Sequence, residues 1–161
     1  MKKKQLFILI ICVVLVAVII GVVVLVRKPK TTQTVTATPI PGTIQIIVDG
    51  EVKDSLKLTD LDTMTKSKFI LYTQSFEGVP IQDIVNKYLA EGTLNESSTI
   101  TVVGVDGKTA SVTWGALATA DPGLFLMKTD VIYRLIGEAP GLYSQDAWIG
   151  EIVSIQIATN G

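Results

Sequence analysis

Apolar and polar positions follow three different rhythms along this chain. Leu6 to Val26, LFILIICVVLVAVIIGVVVLV, is a run of 21 residues without a charge or a polar side chain. At about 1.5 Å of rise per residue, a helix of that length matches the roughly 30 Å hydrocarbon core of a bilayer. The run therefore predicts a transmembrane helix. From Thr43 the rhythm has period two. Ile44, Ile46 and Val48 share one face of a strand over residues 43–48, Asp49-Gly50 makes a turn, and a second strand covers Glu51–Leu58. Thr59 opens a short helical turn as its N-cap, and Lys68–Phe76 is β-branched and aromatic enough for one more strand. The rhythm then turns helical over Pro80–Ala90, where Ile81, Ile84, Val85, Tyr88 and Leu89 make one apolar stripe. Pro80 stands in its first turn and Gly92 at its stop. Thr99–Val105 and Lys108–Thr113 flank Asp106-Gly107, the signature of a tight hairpin. A short helix begins near Trp114 with Thr113 as cap, and Val131–Ile136 and Ile152–Ile157 complete the strands.

These elements predict an α+β class: an N-terminal transmembrane helix followed by one mixed, mainly β domain. The organisation is a basic leader over residues 1–5, the membrane helix over 6–26, a Thr/Pro-rich stalk over 27–42 and the domain over 43–161. The stalk contains the uncharged stretch TTQTVTATPIPG, which has neither helical nor core pattern. About 119 residues remain after it, enough for a single core.

A secretory signal peptide is the rival reading of the apolar run. Its hydrophobic region is shorter, about 7–15 residues, and ends at a small-residue cleavage site. Arg27-Lys28-Pro29-Lys30 directly after the run disfavours cleavage there, while a cut near Ala37 stays open. Cys12 lies mid-run without the small residue that precedes a lipid-modified cysteine, and reads as a small apolar side chain. Three basic residues flank the run on each side: Lys2, Lys3 and Lys4 before it, Arg27, Lys28 and Lys30 after it. The free α-amino group tips this balance towards a cytoplasmic N-terminus. The expected location is the cell membrane, single-pass, with the domain extracytoplasmic.

Charge sharpens the picture. All 15 acidic residues fall after residue 42, together with only eight of the 14 basic ones. A domain this acidic is a poor nucleic-acid binder, because that affinity rests on neutralising phosphates. The chain has no histidine, and its one cysteine lies in the apolar run. This removes the commonest metal ligands and any Ser-His-Asp or Cys-His nucleophile system. Asp60 with Asp62, and Glu77 with Asp83, lack a Ca²⁺-loop spacing, and helix capping accounts for Asp60 and Asp83.

Four stretches, taken in order, carry a family resemblance: Leu58-Thr59-Asp60-Leu61; Phe76-Glu77-Gly78-Val79-Pro80-Ile81 with the helix after it; Val102–Val112 around Asp106-Gly107; and Ile136-Gly137-Glu138-Ala139-Pro140 followed by Trp148–Ile157. Together they resemble the molybdopterin-binding domain of the sulfite oxidase family and cover most of residues 43–158. The resemblance implies a molybdopterin site whose metal is held by a cysteine thiolate just before Gly-Val-Pro. Here that segment reads Leu71-Tyr72-Thr73-Gln74-Ser75-Phe76 and has no sulfur, and a hydroxyl does not replace the soft thiolate. The family binds pterin phosphate with Arg, Lys and His; this domain has Arg134 as its single Arg. The fold thus carries over in expectation and the redox chemistry does not.

The leading expectation is a non-catalytic, membrane-anchored binding module. Its ligand-binding candidates are Tyr72, Thr73, Gln74, Arg134 and Trp148, with no catalytic or metal residue and no cofactor. Arg134 stands alone in the apolar stretch Val131–Ile136 and either points outward or pairs with a buried anion. Trp114, Tyr133 and Tyr143 join Tyr72 and Trp148 as amphipathic aromatics, each readable as core packing or pocket lining. The expected partners are membrane lipid through the N-terminal helix and an unidentified protein or small molecule. Two alternatives stand beside this. One is a molybdopterin-dependent oxidoreductase or its subunit, which needs Lys108, Lys128 and Arg134 to cluster. The other is an unrelated small β-rich surface ligand-binding domain.

Overall fold

The computed structural model describes residues 39–129, 132–140 and 148–159. β1 (Thr43–Val48) and β2 (Glu51–Lys57) form a hairpin. Asp49 and Gly50 both turn through positive φ, 50° and 87°, as a two-residue turn matching the strand twist requires. α1 (Leu58–Thr63) follows at once, starting one residue before the expected Thr59 cap; Lys57 stands at the N-cap without a side-chain bond. β3 (Ser67–Leu71) and β4 (Gln74–Pro80) form a second hairpin, and α2 (Ile81–Tyr88) begins where β4 ends. β5 (Thr99–Gly104) and β6 (Thr109–Thr113) flank Asp106-Gly107. α3 (Trp114–Ala118) comes next, with the Thr113 hydroxyl accepting from the Ala116 amide at 3.2 Å. β7 (Gly123–Thr129), β8 (Ile132–Glu138) and β9 (Ile152–Ala158) complete the chain.

The strands form two sheets, β2-β1-β9-β5-β6 and β3-β4-β7-β8. All pairings are antiparallel except β1 with β9, where Gln45 lies beside Ser154 and Val48 beside Ile157. The inward faces of both sheets share one core. Ile44, Ile46, Ile100, Val102, Ile155 and Ile157 come from the first sheet and Val79, Leu124, Leu126 and Leu135 from the second. Leu61 of α1, Ile81, Ile84 and Val85 of α2, and Leu117 of α3 join them. Each such side chain contributes about 1.5–3 kcal/mol when fully withdrawn from water.

The second sheet also buries its other face. Phe69, Leu71, Phe125 and Ile136 form a separate cluster there. The Phe69 and Phe125 rings stack with centroids 4.0 Å apart and planes at 7°, and Phe76 adds a ring 5.6 Å from Phe69.

This architecture corrects the expected α+β class. The described residues hold nine strands and three helices, the longest of eight residues. Among them no helix is long and apolar enough to cross a membrane. The predicted transmembrane helix at Leu6–Val26, the leader and most of the stalk lie outside the described residues. Two strands account for the underestimate of β structure. The expected single strand Lys68–Phe76 is in fact parts of two, folded back at Tyr72-Thr73. β7 shows no period-two pattern because Leu124 and Leu126 face one core and Phe125 the other, so alternation vanishes.

Candidate functional site

One candidate site grows from the end of α2. Ile81, Ile84 and Val85 fix one side of this helix in the core, and Asp83 in its first turn and Lys87 in its last complement its dipole. The helix stops at Leu89, whose amide still reaches the Val85 carbonyl at 3.1 Å before the backbone turns extended. The chain then passes Gly92 and brings Leu94 back against the core. Asn95 locks the following turn, its side-chain oxygen accepting from the amides of Ser97 and Ser98, both at 3.0 Å. That anchors the start of α3, since the Trp114 amide donates to the Ser98 carbonyl at 2.7 Å and the Gly115 amide to Glu96 at 3.1 Å.

The result is a groove of about 470 Å³ between the C-terminal end of α2 and the first residue of α3. Leu89, Leu94 and Trp114, all half-buried, form its apolar wall. Ala90 and Gly92 line it further, and Asn86 and Glu91 supply its polar side chains. The two helices are tied directly, the Gln82 amide donating to the Leu117 carbonyl at 2.7 Å. The volume lies in the usual range for small-molecule sites of about 300–1,000 Å³, and the tied walls preform it.

The sequence candidates are divided between places. Tyr72 and Thr73 form the tip of the β3–β4 hairpin at φ 55° and 98°. A β-branched residue rarely adopts the left-handed region, so Thr73 is strained. Tyr72 is 59% exposed and Ile70 beside it 71%. Gln74 faces Leu71 across the same hairpin. Arg134 lies in β8 at the opposite edge of that sheet, about 14 Å away in strand spacings alone, and is exposed rather than paired with a buried anion. Trp148, 41% exposed, lies on the segment next to β8. Ile149 forms an antiparallel bridge with Leu135, with backbone bonds of 2.9 and 3.3 Å. Ile149 and Leu135 both point into the core, so alternation puts Trp148 and Arg134 on the side away from it. Lys108 donates to the Trp148 carbonyl at 3.1 Å. Tyr143 lies outside the described residues.

Lys128 belongs elsewhere. Its ammonium bonds both oxygens of Asp62, at 2.7 and 2.9 Å, and the Tyr133 hydroxyl donates to the same carboxylate at 2.7 Å. This triad closes α1 onto the second sheet. The hydrogen bond from Lys128, then that from Tyr133, hold the Asp62 carboxyl below its ordinary range. Tyr133, 2% exposed, is pushed upward by burial first and by Asp62 second. A depressed carboxylate stabilises the fold above its unfolded value of 3.8, and the contribution fades as pH falls through the lower folded value. Wild type and Asp62→Asn are thus expected to differ in urea midpoint at pH 7 and to approach one another as pH falls below the ordinary carboxylate range. A difference that stayed constant with pH would show that the ion pair does not matter.

Lys108, Lys128 and Arg134, which the molybdopterin alternative needs together, do not form one basic pocket. The segment expected to hold the metal is an exposed hairpin tip without a thiol, and Lys128 is paired with Asp62 on the opposite face from Arg134. Among the described residues no three His, Cys, Asp or Glu side chains gather into a metal-binding group. The groove lining went unread in the sequence except for Trp114 as one aromatic among several. The only local signals were the helix stop at Gly92 and the cap at Thr113, and nothing in the sequence joins them. No protein-family model matches this chain, and a search of curated proteins finds no match.

Proposed function

We propose that residues 43–161 are a non-catalytic binding module, tethered to a membrane through the apolar N-terminal run and presenting the α2–α3 groove to a small ligand outside the cell. The observation that carries this reading is the groove itself. Its aromatic and aliphatic wall and its few polar groups are held by hydrogen bonds between both helices and the Asn95 turn. The described side chains lining it include no nucleophile paired with a base, which suits binding rather than turnover. The sulfite oxidase resemblance enters this proposal as descent without the cofactor. Its quoted stretches start α1, join β4 to α2 and turn β5 into β6, while the thiol is missing.

The chain has two tryptophans, which makes the test direct. A fragment library is titrated into the full ¹⁵N-labelled chain in maltoside micelles, and the two indole N–H signals are followed, assigned with Trp114→Phe. Fragments that shift the Trp114 signal at millimolar concentration and leave Trp148 in place are the expected result. Shifts confined to Trp148 would move the site to the Arg134 strip, and silence across the library would remove the binding reading.

A further inference from the structure

Resting on the reading of the α2–α3 groove as a binding site, we propose that its ligand is an organic cation, an ammonium group carried on a compact apolar body. The lining decides this by what it offers and what it lacks. Trp114 presents an aromatic ring, the best side chain for holding a cation over its face. Glu91 supplies a carboxylate and Asn86 a neutral carboxamide. Among the described residues no Lys or Arg lines the groove. The groove also opens at the C-terminal end of α2, the negative end of that helix dipole. Lys87 in the last turn partly offsets this, but its ammonium lies 5.7 Å from the centre of the Tyr88 ring, and it is not part of the lining.

An anion here would face Glu91 with no basic side chain in the lining to neutralise it. A neutral apolar ligand would use Leu89, Leu94 and Trp114 and leave the carboxylate idle. A cation with an apolar body uses all four. The wider field acts in the same direction, because 15 acidic residues outnumber eight basic ones after residue 42 and raise the local concentration of cations.

The test compares choline with its uncharged isostere 3,3-dimethylbutan-1-ol and with the anion 3,3-dimethylbutanoate. All three are titrated into the full chain in maltoside micelles, whose headgroup carries no ammonium, and the Trp114 indole signal is followed. Choline is expected to bind about three- to tenfold more tightly than the alcohol, the ratio expected of a partly exposed cation–π contact with a carboxylate nearby. Glu91→Gln, a change at an exposed residue, is expected to shrink that ratio, with the thermal midpoint measured alongside to check the fold. Equal binding of choline and the alcohol would overturn the cation assignment while keeping the groove as a site. Tighter binding of the anion would overturn it as well. If none of the three moved the Trp114 signal while library fragments did, the cation assignment would fall alone. If nothing moved it, the groove reading would fall with it.

Discussion

A chain ended at Gly150 is expected to lose its fold altogether. The deletion removes β9, the middle strand of the first sheet, which holds the β1–β2 hairpin on one side and the β5–β6 hairpin on the other. Two ladders disappear at once, the parallel one to β1 and the antiparallel one to β5. Ile152, Ile155 and Ile157 leave the core with it. At about 1.5–3 kcal/mol each, those side chains alone approach the roughly 5–15 kcal/mol of net stability typical of a domain. The strand also carries its own clamps. The Thr159 amide and hydroxyl bond the Asp49 carboxylate at 2.9 and 2.7 Å, and the Ser98 hydroxyl donates to the Thr159 carbonyl at 2.8 Å. A chain ended at Thr159 serves as the control and is expected to keep the cooperative urea transition seen by circular dichroism. A cooperative transition in the shorter chain would contradict the strand order β2-β1-β9-β5-β6.

Gly137→Ala is the point substitution with the largest expected effect. Gly137 stands opposite Leu124 in the β7–β8 ladder at φ 135°, a region open to glycine and closed to side chains. A Cβ there would overlap the Gly123 carbonyl oxygen and lie 3.1 Å from the Leu124 Cα. Both obstacles are backbone, so no rotamer change relieves them. The expected cost is about 3 kcal/mol or more, a drop in Tm of about 10 °C for a domain of this size. Gly107→Ala gives the comparison. It has φ 78° in the β5–β6 turn with nothing within 4 Å of the added methyl, so only the backbone penalty of about 1–2 kcal/mol applies. Equal melting of the two variants would show that the strands around Gly137 are looser than the ladder indicates.

Much of the local structure was legible because its causes lie within a few residues. The stripe Ile81, Ile84, Val85 places α2, and Thr113 caps α3 through its own hydroxyl. Asp49-Gly50 and Asp106-Gly107 turn the hairpins expected of them. The β3–β4 hairpin was not legible, because Tyr72 and Thr73 are poor formers of the turn they make. Of the candidate ligand residues, Arg134 and Trp148 lie on neighbouring segments while Tyr72, Thr73 and Gln74 stay at the β3–β4 hairpin. That neighbourhood depends on one bridge, Leu135 to Ile149, between residues that no local pattern connects.

By itself the sequence determined the turns, the amphipathic helix, the missing histidine and thiol of the domain, and the excess of acid over base after residue 42. Those follow from composition and from preferences that act over one turn or one strand. Only the tertiary structure decided that β9 enters between β1 and β5, that the chain folds back at Tyr72-Thr73, and that Trp114 closes a groove with Leu89 and Leu94. These depend on which distant apolar faces bury one another, a choice made by the packing of the whole core and written in no single segment.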